Sequence, residues 1–174
     1  CKPFMKNINI KLEEAKKQET AFHAAFKKDS NKLLRHSILV ASEYRLFKAN
    51  DLLRREFYED ILNKGKLPYR SVGRIDVIFR YRGVLYGGEI KWTPFSSGDF
   101  WDALKILGYC AYYNWQNSLE SGREKLHPAV MIPLEGVQIE HKITANNLNI
   151  AIFGIDVLGQ TYSVIPVRTL GTRV

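Results

Sequence analysis

The stretch GRIDVIFRYRGVLYGGEIKW, Gly73 to Trp92, decides the fold. Two runs rich in β-branched and aromatic residues, Arg74 to Tyr81 and Val84 to Trp92, are joined by Arg82-Gly83. A two-residue connection in which glycine can supply positive φ predicts a β-hairpin. Into these otherwise apolar strands are set Asp76, Glu89 and Lys91. Strand interiors are poor places for carboxylates, because a buried acid is costly unless a cation or several donors compensate it. Counting outward from the turn, Tyr81 faces Val84 and Asp76 faces Glu89, provided that no bulge intervenes. Facing residues of an antiparallel pair lie about 5 Å apart.

Two acids that close repel unless a shared cation lies between them. Hard oxygen donors suit Mg²⁺ or Mn²⁺, which keep several of their waters. The main-chain carbonyl of Ile90 is a further candidate ligand, and period-2 alternation puts Lys91 on the face of Glu89. A cation held there would acidify water and polarise a phosphate, while Lys91 would orient the attacking water or stabilise charge on phosphorus. Gly87-Gly88 would allow close approach of backbone or substrate. The competing reading of Asp76, Glu89 and Lys91 is a structural ion-pair network on a solvated sheet face.

Outward from the hairpin, Lys11 to Lys28 is Lys- and Glu-rich, with apolar residues at partly helical spacing. Asp29 and Ser30 offer N-cap chemistry for a second, longer helix toward Asn63, with Leu34, Ile38, Ala41, Leu46 and Ala49 opening its apolar stripe. Gly65 and Pro68 would end it, and a short strand around Leu67 to Ser71 would precede the hairpin. Ser96 to Leu119 reads as helix, with Phe100, Leu104, Leu107, Ala111, Trp115 and Leu119 as its core face. Strands are expected at Ala129 to Ile132, Ile150 to Asp156 and Tyr162 to Val167, with a turn at Gly159-Gln160 and a short helix within Ile143 to Leu148. The sum is an α/β domain, one mixed sheet flanked by helices.

The chain has 174 residues, enough for one domain with its own core, and residues 1–28 read as an N-terminal helical extension of it. It begins at Cys1, as a fragment or processed chain would. Apolar residues make up 45% of it, which excludes a disordered tail, and its apolar runs are too short to span a bilayer. Cys1 and Cys110 form no zinc spacing or disulfide framework; Cys110 reads as a small core residue, and an intracellular setting is expected. Lys and Arg number 26 against 18 acids, a formal charge of +8 that favours polyanions such as nucleic acid.

An acid on one strand followed by Glu89-Ile90-Lys91 on the next resembles the signature of the PD-(D/E)XK nuclease superfamily, with a spacing similar to that of archaeal Holliday-junction resolvases. The resemblance implies a restriction-endonuclease-like fold with core order α-β-β-β-α-β over roughly Ser30 to Val167. It also implies a Mg²⁺- or Mn²⁺-dependent nuclease acting on DNA, with Asp76, Glu89 and Lys91 catalytic. Relatives of this kind often act as dimers, which puts a homodimer among the expectations. The family's Pro before the acid is replaced by Ile75.

The resemblance further implies a Glu on the first helix as another ligand, for which Glu43 is the candidate over Glu56 and Glu59. His36 is the alternative where a helix His serves instead. The Gln often found in the following helix is missing from ALKILGY, where Lys105 could contact phosphate in its stead. Arg74, Lys105 and Tyr109 are the candidate nucleic-acid contacts. Trp101, Tyr109, Tyr112, Tyr113 and Trp115 admit either base stacking or core packing, with Trp115 assigned to the buried stripe.

Overall fold

Why the hairpin forms is visible at its turn, where Arg82 (φ 46°) and Gly83 (φ 81°) both adopt left-handed backbone. Such a turn matches the twist of the strands on either side of it. In the computed structural model, which describes residues 2–47, 71–92, 105–118 and 124–170, the strands joined there are β2 (Ser71–Tyr81) and β3 (Val84–Ile90). Their register runs from Tyr81↔Val84 to Val77↔Gly88. Before them come α1 (Lys2–Lys28), a single turn α2 (Ser30–Leu33) and β1 (Ser37–Phe47). After them come α3 (Lys105–Ser118), β4 (His127–Pro133), a 3₁₀ turn (Leu134–Gly136), α4 (Ile139–Leu148), β5 (Ala151–Leu158) and β6 (Thr161–Arg168).

The six strands lie in sequence order in one mixed sheet. β1, β2 and β3 form an antiparallel meander, β3-β4 and β4-β5 are parallel, and β6 returns antiparallel to β5. Among the described residues the element order therefore contains α-βββ-α-β. Parallel neighbours need a crossover, and the chain makes it from β3 to β4 with α3 and from β4 to β5 with α4.

Helices cover the two faces of the sheet and define two cores. Phe22 and Phe26 of α1 and Leu33 and Leu34 at the end of α2 pack on Val77, Phe79, Tyr86, Ile90 and Phe153. On the other face Ile106 and Cys110 of α3 and Ala145 of α4 meet Ile75, Ile78, Leu85, Val130 and Ile152. Phe22 and Phe26 are wholly buried, so this part of α1 is a layer of the core. No helix among the described residues is long and apolar enough to cross a membrane.

Two expectations are corrected. The long helix from Ser30 stops at Leu33; residues 37–47 are the edge strand β1, and residues 48–63 lie outside the described residues, as do Gly65, Pro68 and all but Ser71 of the expected short strand. Pairing with β2, from Ser37↔Tyr81 to Phe47↔Ser71, overrides the helical spacing of the apolar residues. The core face of α3 is also rotated by one residue. Ile106 and Cys110 are buried and Tyr109 and Tyr113 pack beside them, whereas Ala111 is exposed and Trp115 is 56% exposed. Residues 93–104 and 119–123, with Phe100, Trp101, Leu104 and Leu119, lie outside the described residues.

The sheet explains that rotation. A Cβ on Gly73 would run into the Tyr109 ring, and one on Gly87 would lie 2.7 Å from Cys110 Sγ. The glycines leave hollows that Tyr109 and Cys110 fill. Gly87 and Gly88 thus serve packing, since a Cβ on Gly88 would lie 3.1 Å from both Val77 and Phe79. Burial pushes the Cys110 thiol up to about 12, against the pull of its contact to the Gly87 carbonyl.

Candidate functional site

The β2-β3 ladder ends at Val77↔Gly88, so Asp76 and Glu89 are the residues next beyond the last paired step of each strand. There the Asp76 side chain acts as a ladder partner: its Oδ2 accepts the Ile90 N–H at 2.9 Å. The next N–H, of Lys91, turns to the other neighbour and donates to the Met131 carbonyl at 3.0 Å. Ile90 reaches the site through its N–H, and its side chain is buried in the α1-side core. Along β3, Tyr86 and Ile90 pack on the α1 side and Leu85 on the α3 side, so alternation sends Glu89 and Lys91 out together on the Leu85 face.

Alternation breaks on β2 at the acid. Ile75 and Ile78, three residues apart, both pack in the α3-side core, so Asp76 lies where the strand changes face. The same break occurs opposite it. Ala41 packs in that core and Tyr44 meets Tyr113 of α3, again three residues apart, with Glu43 between them in left-handed backbone (φ 51°). Register nevertheless holds across the break, Ser42↔Val77 and Tyr44↔Ile75. A left-handed non-glycine residue within a strand is uncommon, and such strain clusters at functional sites.

Burial and like charge shape the ionisation of the pair. Asp76, 5% exposed, has its carboxyl raised above the ordinary range chiefly by burial, against the opposing pull of the Ile90 N–H and of the neighbouring His23 and Arg74 side chains. Glu89 is pushed up to about 8, first by burial and second by the charge of Asp76, while Lys91 pulls it down. Burial first and the charge of Asp76 second thus make Glu89 the harder of the two to ionise. Arg74 reaches into the site from β2, its Nη2 3.5 Å from Asp76 Oδ1 and its Nη1 3.5 Å from Glu43 Oε1.

Glu43, the expected helix ligand, is therefore on the edge strand, exposed, and linked to Asp76 through Arg74. His36 lies in the turn before β1, with its N–H on Asn31 Oδ1, and does not share a helix face with Glu43. Glu56 and Glu59 lie outside the described residues. Tyr109 covers Gly73, and Lys105 is exposed at the start of α3. The helix acid near the site is instead Glu19 of α1, whose charge raises both Asp76 and Glu89. It pairs with His23, one turn on, at 3.9 Å.

The sequence reading passed over Glu19 and His23, yet a signal was present. Both border the stripe of Ala15, Gln18, Phe22 and Phe26 that faces the sheet, where Gln18 accepts a hydrogen bond from the Trp92 indole. Among the described residues no three His, Cys, Asp or Glu side chains are gathered closely enough to form a metal cluster. The candidate donor set is thus the two carboxylates Asp76 and Glu89. Mg²⁺ is commonly bound through one or two carboxylates with water filling the remaining positions, and this pair of crowded oxygen donors fits that demand. No family model, curated protein or solved structure gives a significant match to the chain.

Proposed function

We propose that the chain is a divalent-metal-dependent nuclease of the PD-(D/E)XK type, hydrolysing phosphodiester bonds of DNA as an endonuclease. One feature above all supports the reading: Asp76 and Glu89 each follow the last paired step of the β2-β3 ladder, both carboxyls are raised, and the charges of Asp76 and Lys91 act on Glu89. Two crowded acids at a strand opening form a site that a divalent cation would relieve. The element order α-βββ-α-β and the formal charge of +8 support the same reading.

Asp76 and Glu89 would hold Mg²⁺ or Mn²⁺, which when bound supplies charge neutralisation at the scissile phosphate and acidification of water. The protein's own groups do the rest. The Ile90 N–H fixes the Asp76 carboxylate by one of its oxygens and keeps the other toward solvent-facing Arg74. Lys91 leaves β3 on the face of Glu89, where its ammonium can orient water or stabilise charge accumulating on phosphorus. Burial lowers the local dielectric and strengthens each of these interactions.

The test is cleavage of plasmid, single-stranded, branched and RNA substrates in Mg²⁺, Mn²⁺ or chelator. Metal-dependent cutting of DNA that Asp76→Asn and Lys91→Met abolish supports the proposal. Binding without cutting under every condition overturns it in favour of a non-catalytic nucleic-acid-binding module. That second reading draws on Arg74, which already supplies a cation to Asp76. Cutting of RNA alone would move the substrate class and leave the chemistry.

A further inference from the structure

Arg74 stands in an unusual position. Its two terminal nitrogens are divided between two acids on neighbouring strands, 3.5 Å from each, and its side chain is 48% exposed. Contacts that long are loose for charge-assisted hydrogen bonds, which close to about 2.7–2.9 Å. Arg80, on the same strand, shows the tight alternative at 2.7 and 2.8 Å to Glu124. Directly across from Arg74 in the β1-β2 register lies Arg45, also exposed. Like charges facing each other across a strand pair are destabilising unless an anion joins them. The left-handed backbone of Glu43 lies two residues before Arg45, opposite the Asp76 step.

We propose that Arg74 is an exchangeable phosphate-binding arginine, tethered by Glu43, whose release from Asp76 onto a nucleic-acid phosphate couples substrate binding to metal binding. The inference rests on the nuclease reading and deepens it. In the free protein the guanidinium neutralises Asp76 and competes with any cation for it. A backbone phosphate arriving between Arg45 and Arg74 draws the guanidinium off Asp76, and Glu43 keeps it from swinging away. Metal and nucleic acid then favour each other's binding by the same factor, as linkage requires. Glu43 is in this account a positioning residue that acts only through Arg74.

The experiment uses the full chain and two readouts that need no cleavage. The first is calorimetric titration with Mn²⁺ alone. The second is anisotropy of a fluorescein-labelled DNA duplex in chelator across a salt series. Melting curves confirm that each variant is folded, which the exposure of both side chains favours. Arg74→Gln is expected to tighten Mn²⁺ binding about five-fold or more, the lower end of measured couplings. It is also expected to weaken duplex binding and to lower the salt slope by about one phosphate's worth of counterion release. Glu43→Gln is expected to weaken Mn²⁺ binding in the otherwise unchanged chain and to have no effect in the Arg74→Gln background. That cycle isolates action through Arg74.

Equal weakening by Glu43→Gln in both backgrounds overturns the inference and makes Glu43 a direct ligand. An unchanged salt slope in Arg74→Gln also overturns it, while metal-dependent cutting lost in Asp76→Asn would leave the nuclease reading standing. Absence of Mn²⁺ binding by the unsubstituted chain overturns both.

Discussion

The two ends of the β2-β3 hairpin answer the same problem differently. At the closed end the backbone resolves itself through Arg82 and Gly83, and Arg80 pairs tightly with Glu124 in solvent and also donates to the Gly83 carbonyl at 3.2 Å. At the open end the ladder stops, a carboxylate stands in for a backbone acceptor, and Arg74 is shared loosely between two acids. The closed end is electrostatically satisfied. The open end keeps protons, strain and half-made contacts that a ligand could complete, and that contrast is the ground for placing the proposed chemistry there.

The largest expected effect separates the ends by activity. Asp76→Asn or Lys91→Met should lower the initial rate of plasmid cleavage by about 10²–10³-fold, the usual loss when transition-state charge stabilisation is removed. Glu124→Gln should leave that rate unchanged. Equal losses from both ends would erase the contrast.

The next effect is one of pH, measured by thermal unfolding in chelator. A carboxyl whose folded pKa exceeds its unfolded value holds its proton more tightly in the folded state. Glu89, raised from 4.5 to about 8, therefore contributes its full stability as a protonated group at low pH and loses it as the pH climbs between those values. The cost should reach on the order of a few kcal/mol above pH 8 and shrink in Glu89→Gln, where only the raised Asp76 carboxyl still contributes. Mn²⁺ should restore the loss in the unsubstituted chain only. Glu124 has the opposite sign: the Arg80 guanidinium holds its carboxyl below the ordinary range, so its small contribution is lost on acidification and screened by salt.

Backbone substitutions sharpen the comparison further in chemical denaturation. Gly87→Ala, under the open end, drives a Cβ to 2.7 Å from Cys110 Sγ and should cost about 1–3 kcal/mol by overpacking. Gly83→Ala, at the turn, meets no neighbour but sits at φ 81°, and should cost about 1–2 kcal/mol from backbone strain alone. The smallest change is expected from Arg80→Met, a modest and salt-dependent shift in the unfolding midpoint.

The hairpin was legible because its residues alternate from Val77 to Ile90 about a turn that carries a glycine. β1 was not legible for a reason the structure supplies. Its register slips at Val40 and its backbone turns left-handed at Glu43, so alternation never persists and the apolar spacing imitates a helix. Glu43 was singled out on that helical reading. It does stand by Asp76, but only through Arg74 and from the opposite strand. The phase of α3 was hidden because two neighbouring stripes are both apolar. What chooses between them is the pair of hollows at Gly73 and Gly87, which belong to another element. Glu19 and His23 were masked by a surface rich in Lys and Glu, and only their place beside the stripe of Ala15, Gln18, Phe22 and Phe26 sets them apart.

The seat of Cys110 against Gly87 has a practical corollary. A thiol pushed up to about 12 and sealed between α3 and the sheet is inert to alkylating reagents while the layers stay closed. Its slow modification would time how often that helix lifts away, a clock for breathing motions built into the wall behind β3.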